Sequence, residues 1–273
     1  MPVKKVILSI FFAISTFAFA IGQSDSLCLK ADSIETPNLI SRLGLDRSLQ
    51  GDELTSFKAT RFIAPAALIS YGFALHYIPA LKDLDRDIRK GVQKNINFNT
   101  RIDDVLVLTP AMTVFALDWC GVPARHSFKD RVIVTASSYA MGLTSTLLAK
   151  EITDRWRPDM SEENSFPSGH AMSVFAGAHL LMKEYGHISP WISVSGYAMA
   201  SGVGFLRIAN NRHWFSDVIV GAGFGILSVE LSYLLLPYLS KTFTIKQKKK
   251  MSELTVNPDF GNNWAGMGFR YSF

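Results

Sequence analysis

Apolar residues gather along this chain into six stretches, at about 60–80, 104–119, 131–149, 169–185, 190–206 and 216–239, joined by short polar connections. Each is near the roughly 20 residues that an α-helix needs to cross a bilayer, although several are short or carry a charge. The pattern predicts an all-α protein, a helical bundle of about six apolar helices expected to be transmembrane. The stretch from Val218 to Leu236, whose one charge is Glu230, argues most for a membrane; His179, Lys183 and Glu184 argue mildly for a soluble bundle of buried helices. Gly196, Gly202, Gly204, Gly221, Gly223 and Gly225 lie inside the apolar stretches, as expected where helices approach closely.

The polar intervals divide the rest. Residues 1–20 combine Lys4 and Lys5, an apolar run from Val6 to Phe19 and the small-x-small site Ala18-Phe19-Ala20, which predicts a signal peptide or a retained signal anchor. Residues 21–58 are a polar linker, 59–240 the helical domain and 241–273 a polar tail. Asp83 to Lys94 is too charged to span and predicts an interfacial or surface helix. Asn263 to Phe273 carries aromatics and glycines in the manner of an outer-membrane strand, but one strand cannot close a barrel.

Composition agrees with the membrane reading. The chain is 48% hydrophobic and 19% charged, whereas an ordinary soluble domain is about a quarter charged. The net charge of +5 is spread along the chain rather than packed as a nucleic-acid-binding block. The one dense run, Lys246 to Lys250, follows the last apolar stretch and reads as a juxtamembrane anchor or a solvated tail. Cys28 and Cys120 have no metal-ligand spacing, and neither cysteine nor histidine clustering suggests a metal site.

Three polar motifs lie at the ends of apolar stretches. Lys150 and Arg157 are seven residues apart, almost two helical turns, so both project from one helix face and can grip a dianion, before Pro158 stops the helix. Pro167-Ser168-Gly169-His170 begins the fourth stretch and offers a capping hydroxyl, free backbone N–H groups and an imidazole. His213 and Asp217 are four apart, so on a helix the carboxylate can take a hydrogen bond from one ring nitrogen and leave the other as a nucleophile. Arg207 precedes them and adds a third cation. Each motif alone has a bland reading as a cap or a surface pair. In an up-down bundle all three fall on one side, and their joint inventory suits phosphoryl transfer through histidine.

The pattern Lys-x6-Arg-Pro, Pro-Ser-Gly-His and Arg-x5-His-x3-Asp resembles the phosphatidic acid phosphatase type 2 superfamily, across about residues 60–240. That superfamily includes membrane lipid phosphatases, bacterial periplasmic acid phosphatases and vanadium haloperoxidases. The one departure is Leu206, where the family has Ser before the last Arg; the gap from Pro158 to Pro167 is also short. The resemblance implies that His213 attacks phosphorus, Asp217 orients it and His170 protonates the leaving oxygen. It implies that Lys150, Arg157, Ser168, Gly169 and Arg207 hold the phosphoryl oxygens, with no metal and no cofactor. The expected partner is a phosphorylated lipid in a bacterial cell envelope, with lipid A favoured by likeness to envelope phosphatases of the Bacteroides kind. The alternatives are undecaprenyl diphosphate, phosphatidate or phosphatidylglycerol phosphate as substrate, a soluble nonspecific acid phosphatase, or a vanadium haloperoxidase. Topology conflicts internally. Cleavage after Ala20 followed by six spans puts the motifs inside, whereas a cytoplasmic Lys246–Lys250 run puts them on the periplasmic face of the inner membrane. The tail and the family are given the greater weight, so one stretch is expected not to span or the N-terminal stretch not to be translocated.

Overall fold

Every apolar stretch becomes helix, but chain breaks at prolines change the outline. The computed structural model describes residues 53–96, 100–248, 253–261 and 264–272; the candidate signal and nearly all of the linker lie outside them. The helices are α1 (Thr60–Tyr77), α2 (Pro79–Asn95), α3 (Ile102–Leu106), α4 (Thr109–Trp119), α5 (Phe128–Glu151), α6 (Gly169–Tyr185), α7 (Pro190–Ala209) and α8 (Phe215–Lys248). Ile78 is extended before Pro79, because the residue preceding a proline is driven out of the helical region, and α2 leaves α1 at 96°. Pro110 lies in the first turn of α4, where its missing N–H removes no helix bond, and Val107 and Leu108 separate that helix from α3.

Serine caps start three of the helices. Ser127 accepts from the Asp130 amide at α5, Ser168 from Ala171 at α6 and Ser189 from Trp191 at α7, each satisfying an amide that the first turn would otherwise leave bare. Helix α6 forms the axis. It packs against α4, α5, α7 and α8, and Ala176, Leu180, Leu181 and Tyr185 join Val134, Val229, Tyr233 and Leu236 in the main core. Gly221 and Gly225 of α8 permit the closest packing: a Cβ on either would collide with backbone oxygens of Ser168 or Met172. The small residues thus bring α8 onto the start of α6. Gly202, expected to serve the same purpose, faces open space.

Among the described residues three helices are long and apolar enough to cross a membrane, namely α5, α7 and α8 up to Lys241, or four if the bent pair α1 and α2 counts as one. Helix α6 is shorter, at 17 residues, and its His179, Lys183 and Glu184 are buried inside the protein. These charges have partners: His179 and Lys183 meet Glu230 at 2.8 and 2.6 Å, and Glu184 meets His126 at 2.7 Å. The reading of 241–273 as a plain tail is changed. Helix α8 runs to Lys248, and β1 (Glu253–Gly261) then pairs antiparallel with β2 (Trp264–Ser272). Pairing of the two strands accounts for the strand-like composition noted in that stretch.

Candidate active site

The up-down path brings the C-terminal ends of α5 and α7 to the same side as the N-terminal ends of α6 and α8. All three motifs therefore meet at one end of the bundle. His213 does not lie on a helix, as its spacing from Asp217 suggested; it sits in the bend before α8, and Asp217 occupies that helix's first turn. The buried imidazole Nδ1 is 2.8 Å from the Ser165 carbonyl oxygen and 3.4 Å from Asp217 Oδ2. The carbonyl is the nearer acceptor, so it fixes Nδ1 as the protonated nitrogen. Nε2 has no hydrogen-bond partner among the described residues. Burial pushes the His213 pKa down, opposed by Asp217 and reinforced by Arg207 and Lys150. The ring is accordingly neutral near pH 7, the form a nucleophile needs.

Asp217 is held more firmly by others than by His213. Arg155 Nη1 donates to its Oδ1 at 2.7 Å, and the Ser165 hydroxyl and Trp214 amide donate to Oδ2 at 2.5 and 2.9 Å. Arg155 also meets Asp85 at 2.7 Å, and Asp85 accepts from the amide and hydroxyl of Ser216 at 2.9 and 2.5 Å. Two carboxylates share one guanidinium here, with hydroxyl and amide donors filling the remaining lone pairs, which is what permits such charges to be buried. The Ser165–Ser168 loop is pinned from both sides. Phe166 is fully buried between Phe73 and His76, and the Ser168 amide donates to the Asp217 carbonyl at 3.0 Å.

The remaining candidates surround this centre. Lys150 donates to the Asn164 carbonyl and lies within electrostatic reach of Arg157, Arg207 and Asp217. Arg157 does not share a helix face with Lys150, as their spacing suggested, because α5 ends at Glu151; it pairs with Glu162 at 2.8 Å, and Arg207 pairs with Asp103 at 2.7 Å. Both arginines keep a buried Nε without a hydrogen-bond partner. Ser168 caps α6, Gly169 leaves its surroundings open, and His170 at the first turn donates or accepts at Nε2 with Asp104 Oδ1, 2.9 Å away. Burial lowers the His170 pKa, Arg207 lowers it further, and Asp104 and Asp103 raise it. Beside these groups a polar cavity of about 200 Å³ is lined by Arg101, Asp103, Asp104, Arg157, Arg207 and Arg212 among others. Its cationic lining suits an anion with polar attachments.

Sequence reasoning missed Arg155, Asp85, Ser165, Asp103 and Asp104. The helix expected to be interfacial or on the surface, α2, is largely exposed and lies across the site end with one face engaged. Asp85 is 1% exposed, Arg89 bonds Asn211 and the Pro158 carbonyl, and Gln93 bonds the carbonyls of Ile208 and Ala209. The four-residue spacing of Asp85, Arg89 and Gln93 was the available signal. Asp103 and Asp104 gave none, since acidic residues at a helix start are expected for dipole reasons alone.

This convergence is matched by likeness to known proteins. Residues 131–241 match the family model described as the PAP2 superfamily. Over 177 residues, 62% of the chain, the sequence is 36% identical to a protein from Porphyromonas gingivalis described as a lipid A 1-phosphatase. The match covers 40% of that relative's length. Two solved structures are similar: a transmembrane PAP2 type phosphatidylglycerolphosphate phosphatase from Bacillus subtilis, at 20% identity and TM-score 0.43, and Aquifex aeolicus LpxE, at 21% and 0.41. They cover 69% and 55% of this chain, and 99% and 94% of their own.

Proposed function

We propose that the chain is a metal-independent phosphatase that removes phosphate from a phosphorylated membrane lipid through a phosphohistidine, with lipid A as the favoured substrate. The observation that carries this reading is the buried, neutral His213, oriented through Nδ1, with Arg207 and Lys150 acting on the same imidazole. In this mechanism Nε2 attacks phosphorus while the bond to the leaving oxygen breaks, and His170 gives that oxygen a proton. Water then attacks phosphorus, loses a proton to His170, and releases His213 and phosphate. Lys150, Arg157, Arg207 and the N-terminal amides of α6 stabilise the equatorial oxygens, the work that metal ions do in other phosphoryl transfers.

The lipid preference is supported by the Porphyromonas gingivalis relative and by helices long and apolar enough to span. The site lies at the end of those helices, where a headgroup presents its phosphate. We place it in a bacterial envelope, facing the periplasm from the inner membrane, on the strength of the basic run Lys246–Lys250 at the end of α8. In detergent the full chain is expected to release phosphate from lipid A and other lipid phosphomonoesters far faster than from soluble sugar phosphates. Activity should survive exhaustive chelation and fall competitively with vanadate, which adopts a trigonal bipyramidal form like the transition state. Loss on chelation with recovery on adding magnesium would overturn the mechanism, and preference for small soluble esters would overturn the lipid assignment.

A further inference from the structure

A carboxylate beside an anion site is electrostatically unfavourable unless it serves something else. Asp104 is such a group. It stands on α3, its side chain is 52% exposed, and its Oδ1 is 2.9 Å from His170 Nε2 and 3.4 Å from Arg207 Nη1. Arg207 already has a better partner in Asp103, at 2.7 Å and buried, so Asp104 is not needed to hold it. Asn210, which bonds Asp103 and Thr100, fixes the same corner without Asp104. The short contact that Asp104 alone makes is to His170.

We propose that Asp104 is a positioning residue for proton transfer, holding the His170 ring through Nε2–H and so directing Nδ1 to the leaving oxygen. This inference rests on the phosphohistidine reading above. His170 Nδ1 has no hydrogen-bond partner among the described residues, so it is the nitrogen open to a substrate. As the phosphorus–oxygen bond breaks, the proton on Nδ1 passes to the leaving oxygen, and Nε2–H stays on Asp104. In the second half Nδ1 takes the proton from the attacking water while the phosphorus–His213 bond breaks. Asp104 remains ionised throughout, as a carboxylate does when it orients an imidazole and stabilises its charged form. The charged groups acting on His170 are Arg207 from α7 and Asp103 and Asp104 from α3. Burial and Arg207 favour the neutral ring, so the carboxylates are what keep it able to carry a proton.

The test compares leaving groups. An alkyl phosphate needs a proton on its leaving oxygen, whereas p-nitrophenyl phosphate leaves as a stabilised anion. In the full chain in detergent, Asp104→Asn should lower kcat/KM, which reports phosphohistidine formation alone, about tenfold for the alkyl phosphate, part of the roughly 10²–10⁴ that general acid catalysis contributes. For p-nitrophenyl phosphate the fall in kcat/KM should be twofold or less. The alkaline limb of kcat/KM for the alkyl substrate should move to lower pH, because loss of the carboxylate makes His170 shed its proton earlier. Inhibition by vanadate should be unchanged or tighter, since a negative charge has left the anion site. Equal losses on both substrates, or weaker vanadate inhibition, would mean that Asp104 merely supports Arg207, and would overturn the proposal. His170→Ala separates the two layers. It should show the same selective loss more strongly, and if it does not, the role given to His170 fails before that of Asp104.

Discussion

The two ends of the bundle bury charge in opposite ways. At the far end Glu184 accepts from the His126 amide at 3.0 Å, from Tyr233 at 2.5 Å, and pairs with His126 Nδ1 at 2.7 Å, with both side chains 1% exposed. Arg131 joins this end to Asp118 at 2.6 Å and to the His126 carbonyl at 2.9 Å. At the site end Asp85 and Asp217 are just as buried, but Arg155 between them is 12% exposed, and the chain adjoins His170, whose side chain is 32% exposed, and a cavity rich in arginine. A sealed network can tie helices together. Chemistry needs a sealed network with an accessible edge, because a nucleophile must be held rigidly while an acid meets substrate and water.

The sharpest break between the ends is kinetic. His213→Ala is expected to lower phosphate release at least about a thousandfold, the order seen when a nucleophile is removed from a concerted site. Its folding, followed by thermal denaturation, should change little by comparison. Near-normal release by this variant would leave the phosphohistidine without support.

Arg155→Ala and Glu184→Gln form the next contrast, since each disrupts one buried network. Removing Arg155 leaves Asp85 and Asp217 buried without their shared cation, at an expected cost of about 3–5 kcal/mol in unfolding free energy. It should also slow turnover about a hundredfold, because Asp217, which accepts from the hydroxyl of the Ser165 whose carbonyl holds His213, loses its cation. Glu184→Gln should cost about 1–3 kcal/mol, as partners of a buried hydrogen-bonded group go unsatisfied. Turnover per folded molecule should stay within twofold of the parent. A hundredfold kinetic effect at Glu184 would show that the far end is coupled to the site rather than only structural.

The pH profile sharpens the comparison more gently. His213 must be neutral to attack and His170 protonated to donate, and both pKa values are lowered, first of all by burial. The acid limb of kcat/KM, set by His213, should therefore lie below 6.5, the ordinary histidine value. The alkaline limb, set by His170 in the free enzyme, should also fall below that value, giving an optimum on the acid side of neutrality. An optimum above pH 7.5 would require these proton-transfer roles to be reassigned.

The same contrast explains what could be read along the chain. The helices, and the meeting of the three motifs at one end, were legible because periodic apolar stretches end in motifs of unusual residue types. Arg155 was not, although it lies two residues from Arg157, since its partners Asp85 and Asp217 are 70 and 62 positions away. The number of spans is hard to read for a related reason. Apolar content marks α6 as buried, but buried in protein and buried in lipid look alike until Lys183 and Glu184 are seen paired inside. The hydrogen bond from His213 to Ser165 was invisible because a backbone carbonyl leaves no mark in a sequence.

The smallest expected effect is at Leu206, the one position that departs from the family pattern. Leu206 is 3% exposed and follows the core side of α7, whereas its neighbour Arg207 turns to the site and meets Asp103. Successive helical residues point about 100° apart, so the two side chains serve different surfaces. Leu206→Ser should destabilise the fold by about 2–5 kcal/mol, the range for emptying a buried leucine site, with the new hydroxyl bonding a carbonyl in the preceding turn. Turnover per folded molecule should change less than tenfold, because Arg207 keeps its partner and the phosphate oxygens keep three cations. Phosphate release normalised to the folded fraction measures this directly. A gain or loss beyond tenfold would mean that position 206 reaches the phosphate, and that leucine there tunes the site rather than filling the core.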